Sequence, residues 1–283
     1  MNTIQFAFFG QDDFSVIILQ ELQKAGFTPS IIVTGPDKPV GRKQIITPPP
    51  VKQWATQNGI QVMQPEKLTE VFTASLEEKG PWDVFIVASY GKLLPQQLID
   101  LPTRGTLNVH PSLLPRLRGA DPIRTAILEE PHTGVSIMQL DKQMDHGPIL
   151  AKQQVIFNEW PVDFFTLRDR LATLGGKLLA ENLIPWINND IQAVPQNHSV
   201  ATYTKKVAKE DGEINIESGD PIVNWRKYLA FLSWPGTYFY TSQGIRLKVT
   251  EACLENGIFV VKKVIPEGKK EMLYDDYLRG ITS

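Results

Sequence analysis

The sequence predicts an α/β fold: a doubly wound, mostly parallel sheet followed by a small β-rich domain. Two observations carry that expectation. Near-continuous apolar runs alternate with stretches of helical period through the first two thirds of the chain. Beyond about residue 206 the pattern changes to one helix and short alternating strands. Element by element, "IQFAFFG" and "PSIIVTG" are apolar runs that end at glycine, and "QDDFSVIILQELQKAGF" between them has helical period, so the chain opens as strand, helix, strand. The alternation continues with "IQVMQ", a helical "KLTEVFTASLEEKG", the run "DVFIVASYG", a helical "LLPQQLIDL" and the strand "TLNVHP". Strands this apolar are covered on both faces, as in a parallel sheet under helices. "GVSIMQLDKQMDHGPIL" reads as strand, turn and strand, and "DFFTLRDRLATLGGKLLAENLIPWINN" as the helix that closes the domain.

A chain of 283 residues exceeds what a single core comfortably supports, so two domains are expected. Residues 1–190 form the first, the polar stretch 191–206 is the linker, and 207–283 form the second. At 42% hydrophobic and 21% charged the composition is that of a soluble protein, and no apolar run approaches a membrane span. The start "MNTIQFAFFG" lacks the features of a signal peptide, which makes a cytoplasmic protein the expectation. The single cysteine, Cys253, excludes an internal disulfide and a cysteine-based zinc site. A net charge of −2 argues against a whole-molecule grip on nucleic acid and leaves room for a local basic patch.

The chemistry concentrates in "NVHPSLLPRLRGADP", at the end of a strand, where doubly wound sheets bind ligands. On an extended strand Asn108 and His110 project from one face. An amide beside an imidazole suits a carbonyl oxygen that gains charge as its carbon becomes tetrahedral. A carboxylate to orient the imidazole is expected from the "DKQMDHG" turn, with Asp145 the candidate and Asp141 its competitor on the same loop.

Other readings carry less. Asp12, Asp13 and Asp121 precede helical patterns and read as caps. His132 and His198 lie in polar loops and take no role. His146 beside Asp145 has no metal-ligand spacing around it, so no metal is expected. Ser112 has no nucleophile elbow, and "FFGQDDF" has one glycine where a dinucleotide fingerprint needs three, so NAD is not expected.

"NVHPSLLPRLRGADPI" followed by "TGVSIMQLDKQMDHGPIL" resembles the core of the formyltetrahydrofolate-dependent formyltransferases. "FFGQDDFSV", "TGPDKPVGRKQIITPPPVKQWA", "VASYGKLLP", "YTKKVAKEDGEI" and "WPGTYF" narrow the resemblance to the methionyl-tRNA formyltransferase family, along essentially the whole chain. The resemblance implies a Rossmann-like first domain and an OB-like β-barrel second domain. It matches the family's catalytic trio to Asn108, His110 and Asp145. It places 10-formyltetrahydrofolate, the formyl donor, against the turn Ser112, Leu113, Leu114 and Pro115, with a cis peptide before Pro115, and against walls that include Leu93, Gln139 and Asp141. Initiator methionyl-tRNA is the implied acceptor, met by Arg42, Lys43, Phe14 and Arg116, with Arg118 a second candidate for its phosphates. No membrane and no obligate protein partner is implied.

The basic loop "GPDKPVGRKQIITPPPVK" is expected to be mobile and disordered until bound. The second domain is shorter than the resemblance implies, so its barrel is expected to be reduced. With 12 Lys and Arg against 11 Asp and Glu in 205–283, it is not strongly basic, which weakens the expectation that it holds tRNA. A nucleotide-sugar N-formyltransferase or a formyltetrahydrofolate hydrolase would use the same trio with another acceptor, and a non-catalytic folate or RNA-binding module would turn nothing over.

Overall fold

The apolar run Phe6–Gly10 forms strand β1 and is buried along its whole length. The structure, a computed structural model, describes residues 4–41 and 43–282. Asp12 caps helix α1 (Asp13–Lys24), its carboxylate accepting from the Ser15 amide at 3.3 Å, which satisfies one of the donors a helix start leaves open. Strand β2 (Ile31–Val33) follows, then β3 (Lys38–Val40) and β4 (Ile45–Thr47). Helix α2 (Pro50–Gln57) begins at a proline, whose fixed φ suits a first helical position. Next come β5 (Gln61–Met63), α3 (Glu70–Glu77) capped by Thr69, β6 (Val84–Ala88), α4 (Gln96–Ile99) and β7 (Thr106–His110). Next along the chain come β8 (Arg118–Gly119), α5 (Pro122–Glu129), β9 (Gly134–Gln139), β10 (Ile149–Gln154) and α6 (Phe164–Ile187).

The described residues gather into two compact units. Of these, the first takes 4–41, 43–119, 133–155 and 168–203, the second 120–132, 156–167 and 204–282. In the first unit seven strands form one sheet, in the order β10-β9-β7-β6-β1-β2-β5. β5, β2, β1, β6 and β7 run parallel, while β9 is antiparallel to β7 and β10 to β9. The chain steps from β1 outward through β2 to β5, then returns to β6 beside β1 and moves the other way. The reversal between β1 and β6 is the switch point at which such sheets bind ligands. The doubly wound, mostly parallel sheet is therefore as the sequence predicts. An apolar cluster that includes Phe9, Val33, Phe85, Trp82 and Tyr90 fills one face, with the Phe9 and Phe85 rings 5.3 Å apart.

One expectation needs correction. The basic loop is a hairpin: β3 and β4 pair antiparallel, Val40 opposite Ile45, and the Gln44 amide donates to the Gly41 carbonyl at 3.2 Å. Three-residue strands interrupted by proline carry too short a pattern to read as strands. Val40, Ile45 and Ile46 remain more than half exposed on it.

Strand β11 (Tyr203–Thr204) falls where the chain passes from the first unit to the second; in the second unit α7 (Pro221–Ala230) precedes an antiparallel sheet of β12 (Tyr238–Tyr240), β13 (Arg246–Glu255), β14 (Ile258–Pro266) and β15 (Met272–Leu273), followed by α8 (Tyr274–Thr282). The sheet order β12-β13-β14-β15 leaves two edges, so this is a small open meander over a core of Ile214, Phe239, Leu247, Val249, Val264 and Tyr277. Residues 120–132 are held to it by hydrogen bonds from Arg226. The Arg226 guanidinium donates to the carbonyls of Ile127 at 2.9 Å, and of Leu128 and Glu130 at 3.3 Å, satisfying acceptors that the end of α5 leaves open. Trp160 Nε1 donates to the Glu130 carbonyl at 2.8 Å and ties in 156–167.

Candidate active site

Strand β7 carries Asn108 and His110 on one face, with Asn108 opposite Val87 of β6 and Met138 of β9. Asn108 is half-buried, and its side-chain amide makes no hydrogen bond among the described residues. His110 is 4% exposed. Its Nε2 lies 2.9 Å from the Leu117 carbonyl, and because a carbonyl only accepts, that nitrogen carries the proton. Its Nδ1 faces Asp145 Oδ1 at 3.6 Å, longer than a hydrogen bond and within ion-pair range. The second Asp145 oxygen accepts from the Gly119 amide at 2.7 Å. Of the two carboxylates on this loop it is Asp145 that meets the imidazole. Asp141 accepts from His146 Nδ1 at 2.7 Å and from the Gln143 amide at 2.8 Å.

The turn after β7 is tied to β9. Ser112 Oγ donates to the Arg116 carbonyl at 2.6 Å, which uses its hydroxyl structurally. Ser136 Oγ donates to the Ser112 carbonyl at 2.7 Å and accepts from the Leu114 amide at 3.0 Å. The Leu114–Pro115 peptide is cis. Leu114 is fully buried, while Leu113 and Pro115 are half-buried. On the far side Leu94 and Leu140 pack against the cluster that holds Tyr90, so the "GKLLP" and "QLDKQMD" segments converge. The Tyr90 hydroxyl is buried there without a partner among the described residues, and burial pushes it up to about 12. Gln139 is half-buried; Leu93 is 82% exposed.

The residues expected to meet an RNA acceptor are dispersed. Phe14 is 3% exposed on the first turn of α1. Lys43 is exposed in the β3–β4 turn, Arg116 is exposed after the cis peptide, and Arg42 lies outside the described residues. Arg118 corrects the reading of it as a surface arginine facing phosphate. It is 1% exposed, one of the largest fully buried side chains, and its guanidinium meets Gln196, His198 and Tyr203. Gln196 and His198 lie in the stretch read as linker, where polarity without period gives no signal that one side chain is buried. His198 stacks on His146 with ring centroids 4.0 Å apart. Among the described residues no group of three or more His, Cys, Asp or Glu is placed to hold a metal ion, and no helix is long and apolar enough to cross a membrane.

Comparison with known proteins finds formyltransferases similar to this chain. The sequence model of the Formyl transferase family matches residues 2–183. A methionyl-tRNA formyltransferase of Halalkalibacterium halodurans is 36% identical over 309 residues, covering 99% of this chain and 96% of the relative. That alignment is longer than the 283-residue chain, so the relative carries segments this chain lacks. One from Chloroflexus aggregans is 41% identical over 248 residues, covering 86% of this chain and 79% of the relative. Among solved structures, an N-formyltransferase from Helicobacter canadensis, in complex with folinic acid and dTDP-3-aminofucose, has a TM-score of 0.66 at 19% identity, covering 89% of this chain and 88% of that one. At that identity the likeness concerns the fold alone.

Proposed function

Because the chain belongs to the methionyl-tRNA formyltransferase family, we propose that it transfers the formyl group of 10-formyltetrahydrofolate to the α-amino group of methionyl initiator tRNA, with Asn108, His110 and Asp145 as its catalytic residues. An α-amino group has a pKa of about 8, so a working fraction is neutral near pH 7 and attacks without an enzyme nucleophile. The folate supplies the formyl carbon, bonded to N10. A bond from the amine nitrogen to that carbon forms, the bond to N10 breaks, and one proton passes from the attacking nitrogen to the departing one.

What the chain's own residues do follows from where they stand. The formyl oxygen gains charge, and Asn108 donates its amide hydrogen to it, having no competing acceptor among the described residues. His110 donates from Nε2, exchanging the Leu117 carbonyl at 2.9 Å for the substrate oxygen. Such donors are worth about 10²- to 10³-fold each. Asp145, 3.6 Å from Nδ1, orients the ring while the proton is in transit. The folate fits between the turn Ser112–Pro115 and the walls bearing Leu93, Gln139 and Asp141. An unpartnered buried hydroxyl in an apolar wall, that of Tyr90, is the kind of group a flat polar heterocycle satisfies. We assign the tRNA to the hairpin with Arg42 and Lys43, and to Arg116; Phe14, expected there from the sequence, is 3% exposed and packs in the core, where it meets no acceptor. An acceptor of this kind puts the reaction in the cytoplasm, in translation initiation.

The observation that carries this reading is the placing of His110 between a same-face amide and a buried carboxylate at the ligand end of the sheet. The experiment is a balance of products. Formyl lost from the folate should appear as formylmethionyl-tRNA, mole for mole; its appearance as free formate, with no acceptor required, would return the site to a hydrolase.

A further inference from the structure

Asp145 holds a backbone conformation that non-glycine residues adopt at a cost, with φ at 52°. Such conformations persist where the surroundings over-determine them. Here the determinant is a buried amide from a distant part of the chain. Gln196, 6% exposed, donates through Nε2 to the Asp145 carbonyl at 2.9 Å and to the Gly147 carbonyl at 2.7 Å. Both hydrogens of one amide thus close on the turn that presents the carboxylate to His110.

The orientation of that amide is fixed from behind. Gln196 Oε1 accepts from Arg118 Nη2 at 2.6 Å and from Nε at 3.2 Å. A flipped amide would set its oxygen against two carbonyl oxygens and its hydrogens against a guanidinium, which accepts nothing. Arg118 in turn donates to His198 Nδ1 at 2.9 Å and to the Tyr203 hydroxyl at 3.3 Å. All three partners are neutral, and among the described residues no carboxylate stands within ion-pair distance of this 1% exposed cation. A buried charge held only by neutral acceptors is poorly suited to stability for its own sake. It is well suited to holding one amide in one orientation.

We propose that Gln196 is the positioning residue for Asp145, oriented by Arg118, and that it affects formyl transfer only through the Asp145–His110 pair. The proposal rests on the catalytic reading above, and its test separates the two. Gln196→Glu keeps an oxygen for Arg118 and supplies the carboxylate that this cation lacks, so the variant folds; its other oxygen faces the two carbonyls and pushes the turn away. Single-turnover rates with enzyme in excess are compared for the parent, Gln196→Glu, Asp145→Asn and the double variant, with KM for folate and tRNA measured in parallel. Gln196→Glu should keep both KM values within about twofold and lower the rate about 10- to 100-fold, the effect of a reacting group misplaced by about 1 Å. In the Asp145→Asn background it should change the rate by less than about twofold, because the residue it acts through is already disabled. Gln196→Ala, assayed below its melting temperature, carries the same expectation. A parent-like rate in Gln196→Glu, or an equal loss in both backgrounds, overturns the proposal. A parent-like rate in Asp145→Asn alone overturns the catalytic reading instead.

Discussion

Replacing Gly147 by alanine is a steric perturbation aimed at the Asp145 turn. Gly147 lies two residues beyond Asp145, and its φ is outside the left-handed region, so alanine meets no backbone objection there. The obstacle is backbone against backbone. A Cβ at 147 would fall well inside 3.0 Å of the Gln139 carbonyl oxygen, closer than real Cβ atoms come. Gln139 is the last residue of β9, and its amide is already bonded to the Pro148 carbonyl at 2.9 Å, so the turn has to yield, by about 1 Å. That movement would lengthen the 3.6 Å separation of Asp145 Oδ1 and His110 Nδ1 to about 4.6 Å. At an effective dielectric of about 20 the attraction for a charged ring drops from about 4.6 to about 3.6 kcal/mol, roughly fivefold in rate, and lost orientation takes the total toward 10²-fold. Overpacking should also cost about 1–3 kcal/mol of stability, several degrees in Tm. The assay is kcat at saturating folate and tRNA beside a thermal melt. Gly212→Ala is the control: its Cβ collides equally hard with the Gly236 carbonyl, in the second unit, and should lower Tm while leaving kcat within about twofold. Parent-like kcat in folded Gly147→Ala, or an equal loss in Gly212→Ala, would refute the reasoning.

Asn108→Ala and His110→Ala should each lower kcat about 10²- to 10³-fold with folate affinity held, and Asp145→Ala should cost more than Asp141→Ala, since Asp141 is engaged by His146; steady-state kinetics with equilibrium folate titrations check both. Arg42→Ala with Lys43→Ala should flatten the logarithmic salt dependence of tRNA binding by somewhat under about two units, and an unchanged slope across a salt series would remove the hairpin from the interface. Partial desolvation of an exposed ring, with His146 and Arg118 beside it, holds His198 below the ordinary imidazole range. The unfolded chain, with its pKa of about 6.5, therefore takes up the proton first as pH falls, and stability that is full above that value declines toward the folded one. Melts between pH 7 and 5 should show Tm falling, and His198→Gln should flatten the fall.

Strand and helix alternation was readable because β1 and β6 are buried at every position, and an uninterrupted apolar run leaves little choice of burial. Asn108 and His110 share a face by strand geometry, and a strand end is where this fold binds ligands. Spacing alone leaves Asp145 and Asp141 open and the family resemblance points to Asp145; what needs three dimensions is that His146 occupies Asp141. Gln196 and Arg118 were illegible for a different reason. One lies 51 residues from the turn it holds, and the burial of a lone glutamine or arginine depends on partners that no local pattern announces. The small open meander of the second unit fits the reduced barrel expected from the shortened sequence; which edges stay open is decided by strands meeting in space.

The most direct test of the central claim is acceptor choice under one set of conditions. The chain is given 10-formyltetrahydrofolate with methionyl initiator tRNA, with an amino-sugar nucleotide, and with water alone, and kcat/KM or the rate of formate release is measured for each. The account predicts efficient formylation of the methionyl-tRNA and negligible turnover with the other two. Preference for the amino-sugar nucleotide, or steady formate release without any amine, would contradict it.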